Sequence, residues 1–157
     1  MIAPSELMRL AISKAREGIA AGQSPFGCAI AHGGNVLAVA HNMVRATTDI
    51  TAHAEITAIR GACQRLGQIH LCDCVVATTC EPCPMCMAAL HWARVDTVYY
   101  GADILDASAA GFNELNLSAT QLLTTGDSPV KLVADILREE CRDLFQQWLQ
   151  RPDRLVY

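Results

Sequence analysis

Two short strings, His53-Ala54-Glu55 and Pro82-Cys83-Pro84-Met85-Cys86, constrain this chain more than any other feature. Each sits where a helix starts. After the first, Ile56, Ile59, Cys63 and Leu66 recur at three- and four-residue steps until Gly67, predicting a helix from Ala52 to Leu66. In the second, Pro84 stands where a first helical turn tolerates proline, and Met85 to Ala93 follows as helix. Together the strings offer three metal ligands, His53, Cys83 and Cys86, and a carboxylate, Glu55, that is not needed as a ligand. Structural zinc sites are usually closed by four protein ligands, whereas catalytic sites keep one position for water. A lone Cys-x-x-Cys most often marks structural zinc, and a lone His-x-Glu carries almost no information. Their combination points to a catalytic metal centre with its own proton shuttle, and any fold the chain adopts must bring the two helix starts to one ion.

Helix starts suit this chemistry. Their free N–H groups and partial positive charge favour the cysteine thiolate, the form that binds metal. Two residues between Cys83 and Cys86 let both converge from one turn, and soft sulfur selects zinc over magnesium or calcium. The other cysteines have plainer readings. Cys63 and Cys141 fall on apolar helical stripes as small hydrophobes. Cys72 and Cys74 flank an Asp before a strand, with only a small claim to being ligands or redox partners. Cys80 directly precedes Glu81-Pro82-Cys83 and belongs near the site without being needed in it.

A length of 157 residues suits one domain, read as spanning 1–157, and 52% apolar content against 18% charged residues suits a well-buried core. No stretch approaches the roughly 20 unbroken apolar residues of a membrane helix. Residues 1–22 alternate apolar positions with Glu6, Arg9, Lys14, Arg16 and Glu17, an amphipathic helix capped by Ser5 and not a signal peptide. A cytoplasmic protein with reduced cysteines is expected. The net charge of −4, with lysine only at positions 14 and 131, weighs against a polynucleotide partner.

Further strands are expected at Gly27–Ala31 and Asn35–His41, forming a hairpin, at Cys74–Thr79, at Val95–Tyr100 stopping at Gly101, and at Val130–Val133. Asp103–Gly111 reads as a short Ala-rich helix or turn. Ser118-Ala119-Thr120-Gln121 is a capping box opening a helix closed by Gly126, and a last helix carries Leu137, Cys141, Leu144 and Trp148 on one face. Alternating strands and helices predict an α/β fold, three layers α/β/α around a five-stranded mixed sheet.

His-x-Glu followed by Pro-Cys-x-x-Cys matches the signature of zinc deaminases. On Thr51-Ala52-His53-Ala54-Glu55, Cys80-Glu81-Pro82-Cys83-Pro84-Met85-Cys86, Trp92-Ala93-Arg94 and Ala110-Gly111-Phe112, the chain resembles the cytidine deaminase superfamily. Within it, the nearest likeness is to small bacterial guanine deaminases and their neighbours, the tRNA adenosine deaminases. The resemblance implies a cytidine-deaminase-like fold, one zinc per subunit on His53, Cys83 and Cys86, and Glu55 as proton shuttle in hydrolytic deamination. It implies a base pocket formed by Asn42, Phe26, Ala54, Trp92, Phe112, Glu114 and Tyr157. Where the family pattern continues Asp-Asp after Gly-Phe, this chain has Asn113-Glu114, a carboxylate one methylene longer. The resemblance further implies a free nucleobase substrate, guanine first, and a homodimer, with exchange of C-terminal segments ending Leu155-Val156-Tyr157 as one arrangement. Alternatives are tRNA adenosine, cytosine, isocytosine, an amino-triazine or a nucleoside as substrate, and a zinc-stabilised interaction module without turnover.

Overall fold

The structure, a computed structural model, describes residues 2–157. In chain order its elements are α1 (Pro4–Ala20), β1 (Gly27–His32), β2 (Asn35–His41), α2 (Val44–Thr47), α3 (Ala54–Leu66), β3 (Cys74–Cys80), α4 (Pro84–Trp92), β4 (Thr97–Ala102), α5 (Ile104–Ala109), α6 (Ala119–Thr125), β5 (Lys131–Val133) and α7 (Arg138–Leu149). The strands form one sheet in the order β2-β1-β3-β4-β5. β1 runs antiparallel to both β2 and β3, while β3, β4 and β5 are parallel, so the sheet is mixed as expected.

Strand periodicity divides the core in two. On β1, Cys28 and Ile30 face one layer and Ala29 and Ala31 the other; on β3, Val76 and Ala77 divide in the same way. One face is covered by α1, α5 and α7, whose Leu7, Met8, Ile12, Leu144 and Trp148 are almost fully buried. The other is covered by α3, α4 and α6, through Ala54, Ala58, Ala62, Met87 and Leu90. A strand buried on both faces reads as a continuous apolar run, which is why β1 and β3 lack alternation in the sequence.

Four local expectations are corrected. Ser5 is not the cap of α1: Pro4 is already helical, and Ala3 precedes it without a side-chain capping bond. α3 starts at Ala54 instead of Ala52, with His53 as its cap. The face of α3 laid on the sheet is Ala54, Ala58 and Ala62, while Ile56, Ile59, Cys63 and Leu66 are only half-buried along its flank. Small residues let this helix lie close to the hairpin, where a Cβ on Gly61 would already stand 3.4 Å from the Ala38 Cβ. Finally, β4 does not stop at Gly101 but passes through it to Ala102.

Gly101 allows a close approach. A Cβ there would lie 2.2 Å from Cys141 Sγ and 2.7 Å from Cys141 Cβ, so α7 rests directly on β4 at this point. Gly101→Ala should therefore force the helix off the sheet, destabilising the fold by about 1–3 kcal/mol. A thermal melt of the variant is expected to show a midpoint several degrees lower; an unchanged midpoint would mean that α7 is not seated as described.

Candidate active site

β3 ends at Cys80, and the chain reaches α4 through Glu81, Pro82 and Cys83. His53 caps α3 with φ −62° and ψ 161°; Cys83 caps α4 with φ −62° and ψ 164°. The two helices are thus entered in the same extended conformation. In neither does the cap side chain bond to the helix backbone, as Ser, Thr, Asp or Asn would in that place. The imidazole and the thiol are left free to face each other instead.

Cys86, in the first turn of α4, completes the group. His53 Nδ1 lies 3.6 Å from Cys83 Sγ and 3.5 Å from Cys86 Sγ. Zinc bonds of about 2.3 Å to sulfur and 2.0 Å to nitrogen at tetrahedral angles require an N···S separation of about 3.5 Å. The three ligand atoms therefore stand where a tetrahedral ion would hold them, all within 4.8 Å of one another. Cys83 is held to about 4, chiefly by a hydrogen bond from Cys86 and, against the effect of burial, by one from His53. Its neighbour Cys86 is raised by the same bond and by burial.

Glu55, in the first turn of α3, is almost completely buried. Burial raises its carboxyl above the usual range, opposed by the charge of His53. Thr78 Oγ1 on β3 donates to Glu55 Oε1 at 2.9 Å and so fixes one carboxylate oxygen. Thr78 was not singled out in the sequence, although a Thr pair closing an otherwise apolar buried strand was the available signal.

These groups open into a cavity of about 370 Å³. Its walls include Phe26, Phe112, Glu114 and Tyr157, together with Ile50, Met85, Leu115, Cys80, Glu81 and Asn113, none of which the sequence reading had assigned to a substrate pocket. Phe26 meets Phe112 edge-on at 4.9 Å. Phe112 in turn stacks on Trp148 at 4.9 Å, which ties the wall to the core. Glu114 is half-buried, and its carboxyl is raised by burial and by nearby Cys83.

The remaining candidates are placed differently. Ala54 is buried behind His53 as the first residue of α3. Asn42 is fully buried and does not line the cavity: its Oδ1 accepts from the Val44 N–H, and its Nδ2 donates to the Tyr157 hydroxyl. Trp92 is not brought to the cavity of its own chain. It is 78% exposed at the last position of α4, roughly 9 Å along the helix axis from Cys86, and faces His91. Tyr157 enters the cavity of its own chain, 6.0 Å from the His53 ring, and burial pushes its hydroxyl up to about 12. Cys80 turns its thiol toward the Asp103 carbonyl and not toward the ligand group. Cys72 is exposed and Cys74 buried, and all eight cysteines are free.

The sequence model of the cytidine and deoxycytidylate deaminase zinc-binding region matches residues 1–102. The chain belongs to this deaminase family. Guanine deaminase of Bacillus subtilis is 47% identical over 108 residues, 68% of this chain and 69% of that protein. The tRNA-specific adenosine deaminase of Agrobacterium fabrum is 42% identical over 98 residues, 62% of this chain and 64% of its own length. Among solved structures, guanine deaminase from Nitrosomonas europaea superposes with a TM-score of 0.86 at 25% identity, covering 96% of this chain and 87% of that one. A tRNA:A34 deaminase superposes at 0.77 and 31% identity, covering 88% and 97% respectively. The protein is a zinc-dependent hydrolytic deaminase. No helix among the described residues of the deaminase is long and apolar enough to cross a membrane.

If His53, Cys83 and Cys86 are the ligands, Cys83→Ala should reduce bound zinc from one per chain to a small fraction and lower the melting temperature, because metal binding is coupled to folding. Cys72→Ala, at an exposed site away from the cavity, should leave both unchanged. Metal analysis of the purified variants checks this, and a full zinc complement in Cys83→Ala would exclude the ligand set.

Proposed function

We propose that this deaminase domain, spanning 1–157, acts on a free amino-nucleobase, guanine first, yielding xanthine and ammonia. The observation that carries the reading is the cavity wall, where Tyr157 from the chain's own tail lies beside Phe112, at 5.7 Å, and half-buried Glu114. A cavity of about 370 Å³ lined by aromatic rings and one carboxyl suits a planar bicyclic base.

Zinc held by His53, Cys83 and Cys86 would act as a Lewis acid that brings a water to a pKa of about 7. Glu55 would take one proton from the attacking water and pass it to a ring nitrogen, then carry the water's second proton to the departing amino group. Oxygen is joined to the ring carbon as the carbon–nitrogen bond breaks, so one base and one water become one oxo-base and one ammonia. Thr78 keeps the Glu55 carboxylate turned to the cavity through the bond to Oε1. Phe26 and Phe112 flank the ring, and Glu114 accepts hydrogen bonds from the ring N–H and amino group of guanine. Asn42 acts through Tyr157, whose hydroxyl accepts from its amide.

The second reading, adenosine in tRNA, is favoured by the extent of the match to the tRNA:A34 deaminase structure. It requires the tail to leave the cavity. Homodimerisation is supported by α4, whose last residue, Trp92, is an exposed aromatic side chain outside the cavity of its own chain.

Ammonia release by the zinc-loaded protein should be measured against guanine, guanosine, adenine, cytosine, cytidine, isocytosine, amino-triazines and a tRNA anticodon stem-loop. Turnover of a free base, guanine foremost, is expected; turnover of the stem-loop alone would replace this reading with the second. Glu55→Gln should keep its zinc and lose about 10²–10⁴ in rate. Deleting Leu155 to Tyr157 should lower kcat/KM more than it lowers the melting temperature, and unchanged kinetics would remove Tyr157 from the site.

A further inference from the structure

Glu81 joins the two halves of the site in a way that neither metal binding nor proton transfer requires. It stands two residues before Cys83, with its backbone N–H donating to the Ala102 carbonyl at the end of β4. The two oxygens of its side chain go to different helices. Oε1 accepts from the Ala119 N–H at 2.8 Å, the first residue of α6; Oε2 accepts from the Ile104 N–H at 3.3 Å, the first residue of α5. Both helices already have capping boxes, Asp103 with Asp106 and Ser118 with Gln121, but these satisfy the cap and third amides and leave the first. Glu81 takes both remaining first amides at once.

Between α5 and α6 runs the segment that bears Phe112, Asn113, Glu114 and Leu115 of the cavity wall. Residues 113–117 are thinly held. Among the described residues their backbone bonds to another segment only at Asn113, whose N–H donates to the Tyr157 carbonyl. The distance from Glu114 to the ligand group is thus set largely at the two ends of the segment, and Glu81 grips both ends from the strand-to-helix connection that carries Cys83. We propose that Glu81 is a positioning residue that fixes the substrate wall relative to the metal centre. The proposal rests on the reading of that wall as the substrate contact.

Glu81→Gln preserves shape but offers only one acceptor, and Glu81→Ala removes both. In kinetics on whichever compound of the panel the wild-type protein turns over, KM should rise about fivefold for Gln and further for Ala, with kcat falling by less and zinc staying at one per chain. Amide hydrogen exchange at Ile104 and Ala119 should accelerate in Glu81→Gln. An unchanged KM with fast exchange would show that the tether does not position the wall, and loss of zinc in both variants would show that Glu81 serves the ligands instead; either overturns the proposal. If no compound is turned over, the functional reading fails by itself, and unaltered exchange at both amides would still refute the tether.

Discussion

The structure depends on the meeting of two helix starts at one end of a buried strand. His53 and Cys83 hold nearly the same backbone angles and the same place relative to their helices, and both give up the capping bond that a polar residue there would make. That sacrifice removes a favourable interaction of about 1 kcal/mol at each end. Metal binding more than offsets it, since structural zinc contributes on the order of 10 kcal/mol where ligands converge. The rest of the fold serves this meeting: β3 lies at the middle of the sheet, β1 and β4 flank it, and α3 and α4 share the same face. The geometry brings both thiols within hydrogen-bonding distance of the His53 imidazole, and the hydrogen bonds that converge on Cys83 lower its pKa.

The metal half of the site was legible in the sequence because its chemistry fixes both residue type and spacing. Two cysteines on one turn and a histidine at another helix start have few other uses, and the mixed five-stranded sheet with helices on both faces followed from strands and helices in alternation. What was not legible belongs to contacts made at long range. The stripe of Ile56, Ile59, Cys63 and Leu66 gave the helix correctly but the wrong side of it, because close packing on a hairpin selects alanine over larger residues. Gly101 looked like a strand end, since a sequence does not show that α7 will lie against it. Trp92 has the residue type of a base-stacking side chain, yet the length of α4 carries it away from its own chain's cavity. Thr78, Glu81 and Ile50 reach the site region only after the chain is folded, from a strand, a connection and a loop.

The two halves of the cavity are also built to different standards. His53, Glu55, Cys83 and Cys86 sit at or near the starts of packed helices, with one hydrogen bond from a central strand to Glu55. Facing them, residues 113–117 form an irregular stretch with exposed Leu115, and the tail from Arg151 onward is held by a few contacts: Arg45 to the Asp153 carbonyl, Asn113 to the Tyr157 carbonyl, and Asn42 to the Tyr157 hydroxyl. A reaction common to many amino-heterocycles needs the first half to be invariant in geometry. Choice among those heterocycles needs only the second half to change, by side-chain length or by a small shift of the wall.

Position 114 shows how fine that choice is. A carboxylate there can accept two hydrogen bonds from adjacent N–H groups of a base, and its extra methylene, compared with aspartate, moves the oxygens by about one bond length. Burial and nearby Cys83 raise the Glu114 carboxyl; a base that donates two hydrogen bonds favours its charged form, whereas one that presents a ring nitrogen lone pair favours its neutral form. An unmatched buried group costs about 1–3 kcal/mol, or roughly one to two powers of ten in discrimination. On the proposed reading, choice among amino-bearing rings turns on the carboxylate at position 114, which faces the group that would hold the metal from the opposite wall of the cavity.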